Sequence, residues 1–559
     1  MGTYGYQIRN YAAGSIYGVM QGIRKNYDTT KAMLTKSLFL DFIESNGMDI
    51  YKDASTRSII GISFDYGTRS YEEEIEHLNK ALAKATTDEK RERIQELISE
   101  TESNADKYEK TSKERIREIF YTEGCDIYYD NGETKIHYVM LYRSAAKAKK
   151  GLCMFIDSRL YETAHNFLWM GLSLPEHKAP IVEIGAYASL VSSTIIDKIQ
   201  INPDDVLVLK DVDSVFKTNV ISIETDEQKQ CKAIKRKNYE VTNTIFDGQA
   251  LIDLSIFPDY GNGYVLLRQH FTKCAAFATD IQGFFKDYFR DEYDTAVVKD
   301  MWGNFHKAKD IKLITTNNAI KWIKFGVDYE YWKKWVNLNG GFWGIVKTAH
   351  ESKLGDVQRM SYQMINTLTE EIMEDVMQPS KEYIKMLKAD TPTFVDYLKR
   401  NATFSNDYEV LAALYEQDHT FEQCDYFRER KAKILFDYVR KLKNGKLIQN
   451  ADNMTIVGSP YAMLLHSVGE NVEKDPTLEN EKDVVQCYTQ RFKDGEYLSG
   501  FRSPFNGRGN TGYYHNHYHP YFEKYFKFGP LIIAINMLET DVQARNNGLT
   551  YWPSAQECA

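Results

Sequence analysis

Apolar positions along this chain follow two different periods, and the switch between them divides it. Between 70 and 121 they recur at helical spacing: Ile75, Leu78 and Leu82, then Ile94, Leu97 and Ile98, then Ile116, Ile119 and Phe120. The background there is dominated by charge. Thr86-Thr87-Asp88 interrupts the pattern and supplies a cap for a new helix, so the segment predicts a charged helical hairpin projecting from a body. Residues 1–60 read as mixed helix and loop. From 122 to 160 short β-like runs take over, Ile127-Tyr128-Tyr129, Lys135 to Leu141 and Leu152 to Ile156. Residues 160–200 read mainly as helix. Val206-Leu207-Val208-Leu209, bounded by Asn202-Pro203 and Lys210-Asp211, predicts a buried strand. Strands should continue at 220–223, 264–268 and 311–314, followed by helices over 356–442 and by short strands with glycine turns from 443 to 548. No repeat, Pro/Ser linker or low-complexity tract interrupts this order. The pattern is α+β, with β-rich modules separated by a helical block.

A length of 559 residues allows two to four domains, and 43% apolar with 27% charged residues is ordinary for a globular chain. The net charge of −9 argues against a uniformly basic nucleic-acid coat, yet allows a basic channel inside an acidic shell. Local basic clusters exist: Arg143, Lys147, Lys149 and Lys150; Lys232, Lys235, Arg236 and Lys237; and a run from Arg428 to Lys446 that reads as a solvated helix face. The 39 tyrosines offer flat amphipathic surfaces that half-fill cores and can also stack on bases. Seven scattered cysteines with no C-x-x-C pair suit a reducing compartment. With no apolar signal core and no 18-residue apolar run, a cytoplasmic chain without a membrane partner is expected.

Three short patterns carry possible chemistry. Asp211-Val212-Asp213 ends the buried run, and i, i+2 carboxylates on a strand point the same way, which permits chelation of Mg²⁺ with a nucleotide. A solvated turn is the plainer reading of the same pair. His515, His517 and His519 share one face if the segment is extended, a spacing open to a transition metal or to a merely polar surface. Gly507 to Gly512 spells G-x-G-x-x-G, but Pro504 precedes it and a Tyr/His-rich run follows. The dinucleotide fingerprint needs a strand before and a helix after, so the glycines read as a loop where backbone approaches a nucleotide.

Several longer segments, taken in order, resemble the two-barrel RNA polymerases, the family of cellular β/β′ subunits, silencing-type RNA-dependent polymerases and single-chain phage or bacterial relatives. They are Tyr142 to Gly151, then Phe246-Asp247-Gly248-Gln249 to Asp253, Leu266 to Ala275, and Leu313 to Phe325. Arg502-Ser503-Pro504 through Asn547-Gly548 completes the order. The resemblance covers roughly 135–350 and 440–548. It implies a double-psi β-barrel fold: an N-terminal helical module over 1–125 with the hairpin at 70–121, and a first barrel-type domain over 126–350. A helical connector over 351–442 and the start of a second barrel-type domain over 443–559 would follow.

By the same resemblance the activity is template-directed RNA synthesis with Mg²⁺ or Mn²⁺, on a nucleic-acid template and NTPs. Lys273, Lys324 (or Lys321) and Arg502 would be the catalytic cations. Arg143, Lys147, Lys149, Lys150, Arg268, Lys321 and Arg508 would contact nucleic acid or nucleotide. Lysines suit that role because they neutralise triphosphate charge and charge that builds in the transition state. The family's Asp-x-Asp-x-Asp metal loop does not follow Asn547-Gly548, where Leu549-Thr550-Tyr551-Trp552 stands instead. The expectation is therefore an incomplete polymerase, inactive alone, whose acidic loop a second chain could supply. The alternatives are a non-catalytic nucleic-acid-binding remnant of the fold, or a metal-dependent transferase using Asp211 and Asp213.

Overall fold

The computed structural model describes residues 5–64, 71–103, 112–142, 152–173, 181–225, 230–355, 357–359, 369–403, 406–479, 484–501 and 511–536. The fold is α+β, built on three sheets of six, seven and five strands. The N-terminal sheet runs, edge to edge, Thr29–Thr35, Gly5–Ala12, Ile59–Ser63, Leu152–Asp157, Thr134–Tyr142 and Cys125–Tyr129. It therefore draws strands from both sides of residue 125. Three of them fall within or just beyond residues 1–60, where mixed helix and loop were expected. The reason is local: Gln7 and Arg9 occupy the more open face of Gly5–Ala12 and interrupt its apolar alternation.

The helical hairpin is present. Tyr71–Ala83 packs on Asp88–Ser103, which begins at the expected Asp88, and Leu78, Ile94 and Leu97 are buried. A third helix, Ser112–Thr122, inserts Ile116 and Phe120 into the core of the N-terminal sheet together with Tyr11, Ile60, Ile127 and Phe155.

The central sheet is mixed, in the order Asp197–Gln200, Phe342–Thr348, Tyr264–Gln269, Thr272–Thr279, Gln249–Asp253, Leu313–Thr316 and Val206–Leu209. It is covered on both faces, which is why its strands read as unbroken apolar runs rather than alternations. Val208, Ala250, Leu267, Cys274 and Ala276 join the core shared with the N-terminal sheet. Leu209, Leu251, Leu266, Ala275 and Phe277 face the opposite way, into the core shared with the C-terminal sheet.

That C-terminal sheet runs Thr455–Gly458, Ile532–Ile535, Val485–Tyr488, Thr511–Asn516 and Tyr497–Phe501. The two sheets are clasped by one side chain. The buried Gln249 amide donates to Gly458 O at 2.9 Å and accepts from Gly458 N at 2.8 Å, so it pairs with a strand end as backbone would. Helices Glu370–Ala389, Thr391–Asn401, Tyr408–Gln417 and Asp425–Lys443 form a separate block around Leu387, Phe394, Leu398 and Phe427. Among the described residues no helix is long and apolar enough to cross a membrane.

Candidate functional site

Segments that lie far apart in sequence converge on Asp211. Its side chain is buried and accepts from Val212 N at 2.8 Å, Phe246 N at 3.2 Å, Asn318 Nδ2 at 2.9 Å and Thr316 Oγ1 at 3.1 Å. Its own backbone N–H donates to Asn317 Oδ1 at 2.7 Å. The Phe246-Asp247-Gly248 turn and the Thr315 to Asn318 turn are thus tied to one carboxylate, and the single Thr316 hydroxyl proton is shared between Asp211 and Asp247 O, 2.8 Å away. Burial pushes the Asp211 carboxyl above its ordinary range, and the hydrogen bonds from Asn318, Phe246, Val212 and Thr316 work against that rise. Asp211 is a positioning residue for these loops.

Asp213 does not join it. It is exposed and opens a two-stranded ribbon, Asp213–Thr225 with Cys231–Thr244, on which Lys232, Lys235, Arg236 and Lys237 are exposed. The pair at 211 and 213 therefore splits between a saturated interior position and a solvated one. Among the described residues no group of three or more His, Cys, Asp or Glu is placed to hold a metal. The histidine run is also dispersed. His515 stacks on Tyr497 with ring centroids 4.5 Å apart, His517 lies 4.0 Å from Asp494, and His519 caps the helix Pro520–Tyr525 by accepting from Tyr521 N.

The cations nominated from the central segments are partly gathered. Arg268 and Lys273 lie directly opposite each other on antiparallel strands. By strand alternation they share the face of Leu266, Ala275 and Phe277, the one turned to the C-terminal sheet. Lys273 N donates to Ala319 O at 3.1 Å and Lys321 N to Phe271 O at 2.7 Å, so the 319–321 segment is sewn to the hairpin. The Lys321 ammonium bonds Asn318 O, which links it back to the Asp211 node. Lys324 goes elsewhere: its ammonium sits 5.9 Å above the ring of Tyr187, which packs against the opposite core. Arg143, Lys147, Lys149, Lys150, Arg502 and Arg508 lie outside the described residues.

The turn that presents Arg268 and Lys273 is itself interior. Gln269, His270, Phe271 and Thr272 are all buried, and Phe271 adopts φ +48°, a left-handed conformation that costs a bulky residue strain. The surroundings hold it there. Trp332 Nε1 donates to His270 O at 2.9 Å and Thr272 Oγ1 donates to the same oxygen at 3.0 Å. His270 Nδ1 lies 2.7 Å from Gln269 Oε1, an atom that can only accept, so Nδ1 carries the proton. Burial lowers His270 to about 3, leaving the imidazole neutral. Burial also lowers Arg268 from its ordinary value, although a guanidinium stays charged in any protein setting.

Two residues of this site carry no chemical signature in sequence. Gln249 and Asn318 act through single amides directed at partners about 209 and 107 residues away, and only an amide in an otherwise apolar or turn segment hinted at either. No protein-family model matches the chain, and no curated protein matches it in sequence.

Proposed function

We propose that this chain serves template-directed RNA synthesis, as a nucleotidyltransferase of the two-barrel RNA polymerase type. In this reading the central and C-terminal sheets are its two double-psi half-barrels. One observation supports it above the rest. Arg268 and Lys273 face each other on the side of the central sheet that looks toward the C-terminal sheet, beside the Gln249–Gly458 clasp. Gln249 pairs with Ala275, two residues along the strand from Lys273. A triphosphate is a ligand that two half-buried cations on one face suit, because charge-assisted hydrogen bonds to its oxygens are strong and geometrically specific.

Mg²⁺ or Mn²⁺ is the cofactor this chemistry would call for, to supply charge stabilisation at the reacting phosphate. Asp211 and Asp213 do not fit that ion: Asp211 is committed to protein donors, and Asp213 stands apart on the ribbon. A second chain bearing an acidic loop is the partner this reading calls for. The commitment of Asp211 also favours a second reading, a nucleotide- or nucleic-acid-binding protein on the same scaffold without turnover.

Titration with fluorescent GTP, followed by NTP incorporation on single-stranded RNA and DNA with Mg²⁺ or Mn²⁺, tests both. The expected result is GTP binding weakened about tenfold or more by Lys273→Gln, the order of a lost charge-assisted contact. Binding without incorporation, even with an added acidic segment, selects the second reading. No GTP binding, or binding indifferent to Lys273, contradicts the polymerase reading and the nucleotide-binding form of the second.

A further inference from the structure

The N-terminal sheet curls until strands far apart in its order touch. Tyr11, on the second strand, has its hydroxyl 3.3 Å from that of Tyr129 on the far edge strand, and Tyr27 Oη accepts from Tyr128 N at 3.1 Å. One end of the curl is open as a groove of about 1610 Å³. That exceeds the roughly 300–1,000 Å³ usual for small-molecule sites.

The lining is specific in chemistry. Five side chains are cationic, against two carboxylates, in a chain whose net charge is −9. One carboxylate is already spent, since Asp130 takes Arg57 in a two-pronged pair at 2.7 and 3.0 Å. Arg9 and Lys31 are exposed and sit directly opposite each other on antiparallel strands, a like-charge pair that costs stability and that the groove carboxylate Asp53, which interacts with Lys31, offsets in part. Lys25 and Lys52 are exposed on the loops above.

Aromatic faces run between these charges. The Arg57 guanidinium lies 4.5 Å from the centroid of Tyr129 and 5.1 Å from that of Tyr51. Tyr11 and Tyr27 meet edge to face at 5.6 Å. Tyr51 and Tyr128 are 41% and 42% exposed, and each carries a cation over one face, Arg57 over Tyr51 and the Lys135 ammonium 5.9 Å from the Tyr128 centroid, so a base would stack on the face away from it. Exposed phenol rings spaced among lysines match unpaired bases and the phosphates that join them.

We propose that this groove binds single-stranded nucleic acid, with bases stacked on Tyr51 and Tyr128 and phosphates held by Arg9, Lys31, Lys25 and Lys52. A base-paired duplex hides the faces that the tyrosines would stack on, so it is excluded. The proposal stands on the groove alone and does not depend on any transfer reaction at the central sheet.

The test is fluorescence anisotropy with labelled 12-mers of oligo-uridine and oligo-thymidine, using the full chain. Lys25→Glu/Lys52→Glu changes only exposed loop side chains and should weaken both 12-mers tenfold or more at about 0.1 M salt. Tyr51→Ala/Tyr128→Ala should weaken them at least fivefold, while Tyr51→Phe/Tyr128→Phe keeps binding within about twofold. Lys273→Gln should leave these affinities unchanged, which separates failure here from failure at the central sheet. Three results would overturn the proposal: a duplex 12-mer bound as tightly, polyglutamate competing as well as the oligonucleotides, or affinities indifferent to the tyrosines.

Discussion

Cation faces cation twice among the described strand pairs, and the two places could hardly differ more. Arg9 and Lys31 stand exposed on the N-terminal sheet, beside open tyrosine faces. Arg268 and Lys273 stand half-buried beside an interior turn, at the junction of two sheets. Elsewhere the chain solves the same problem conventionally, as where Lys217 lies opposite Glu240 on the ribbon. Like charges held opposite each other cost roughly 0.2–1 kcal/mol. Under the proposed assignments, each pair is a place where a bound anion would offset part of that cost. The surroundings then separate the ligands. Open aromatic faces with long lysines suit an extended strand of bases, and a rigid turn with little room suits a compact polyphosphate.

The largest expected effect removes the frame of the second site. Gln249→Leu takes away both bonds to Gly458 and leaves a buried N–H and C=O unpaired, a cost of about 3 kcal/mol. Urea unfolding should show that loss together with weakened GTP binding, while oligonucleotide binding by the folded fraction survives. Equal loss at both sites would merge them into one.

Acid should divide the sites next. His270 is lowered to about 3 by burial, whereas an unfolded histidine titrates near 6.5. The unfolded chain therefore binds the proton first, and the stabilisation present above pH 6.5 is lost as pH falls toward 3. Between pH 6.5 and 5 the loss is about 2 kcal/mol, and His270→Gln should abolish that share of the pH dependence in urea unfolding. The groove is lined by no histidine, so its binding should change little over the same interval.

The smallest effect is the most pointed. Arg9→Thr should raise stability by a few tenths of a kcal/mol while weakening oligonucleotide binding. Lys273→Gln should do the same for GTP. Destabilisation by either change, measured by thermal unfolding, would show that the cations are structural and not ligand-directed.

The sequence made these two regions unequally legible. Val206 to Leu209 and the run Tyr264-Val265-Leu266-Leu267 announced the central sheet because burial on both faces leaves no polar position to blur the signal. The segments around 211, 246, 268 and 315 were singled out one by one, and the fold joins them through Asp211 and the Lys273–Ala319 and Lys321–Phe271 bonds. Their convergence depends on strand order, which local spacing does not encode. The N-terminal sheet is legible in half. Its strands Cys125–Tyr129, Thr134–Tyr142 and Leu152–Asp157 fall in the expected β-like runs, whereas Gly5–Ala12, Thr29–Thr35 and Ile59–Ser63 stand where helix and loop are expected, the first two because their groove face is polar. The same Gln7, Arg9, Thr29 and Lys31 that line the groove dilute the period-two apolar pattern. A search for alternating cationic and aromatic positions, such as Arg9 with Tyr11, would have found it.

The most direct test is a crossed titration of labelled oligo-uridine and fluorescent GTP against Lys25→Glu/Lys52→Glu and Lys273→Gln. Separate ligands for the two cation pairs require a crossed result: the double variant loses the oligonucleotide and keeps GTP, and Lys273→Gln loses GTP and keeps the oligonucleotide. Loss of both ligands in either variant, or of neither in both, would contradict the assignment of separate ligands to the two cation pairs.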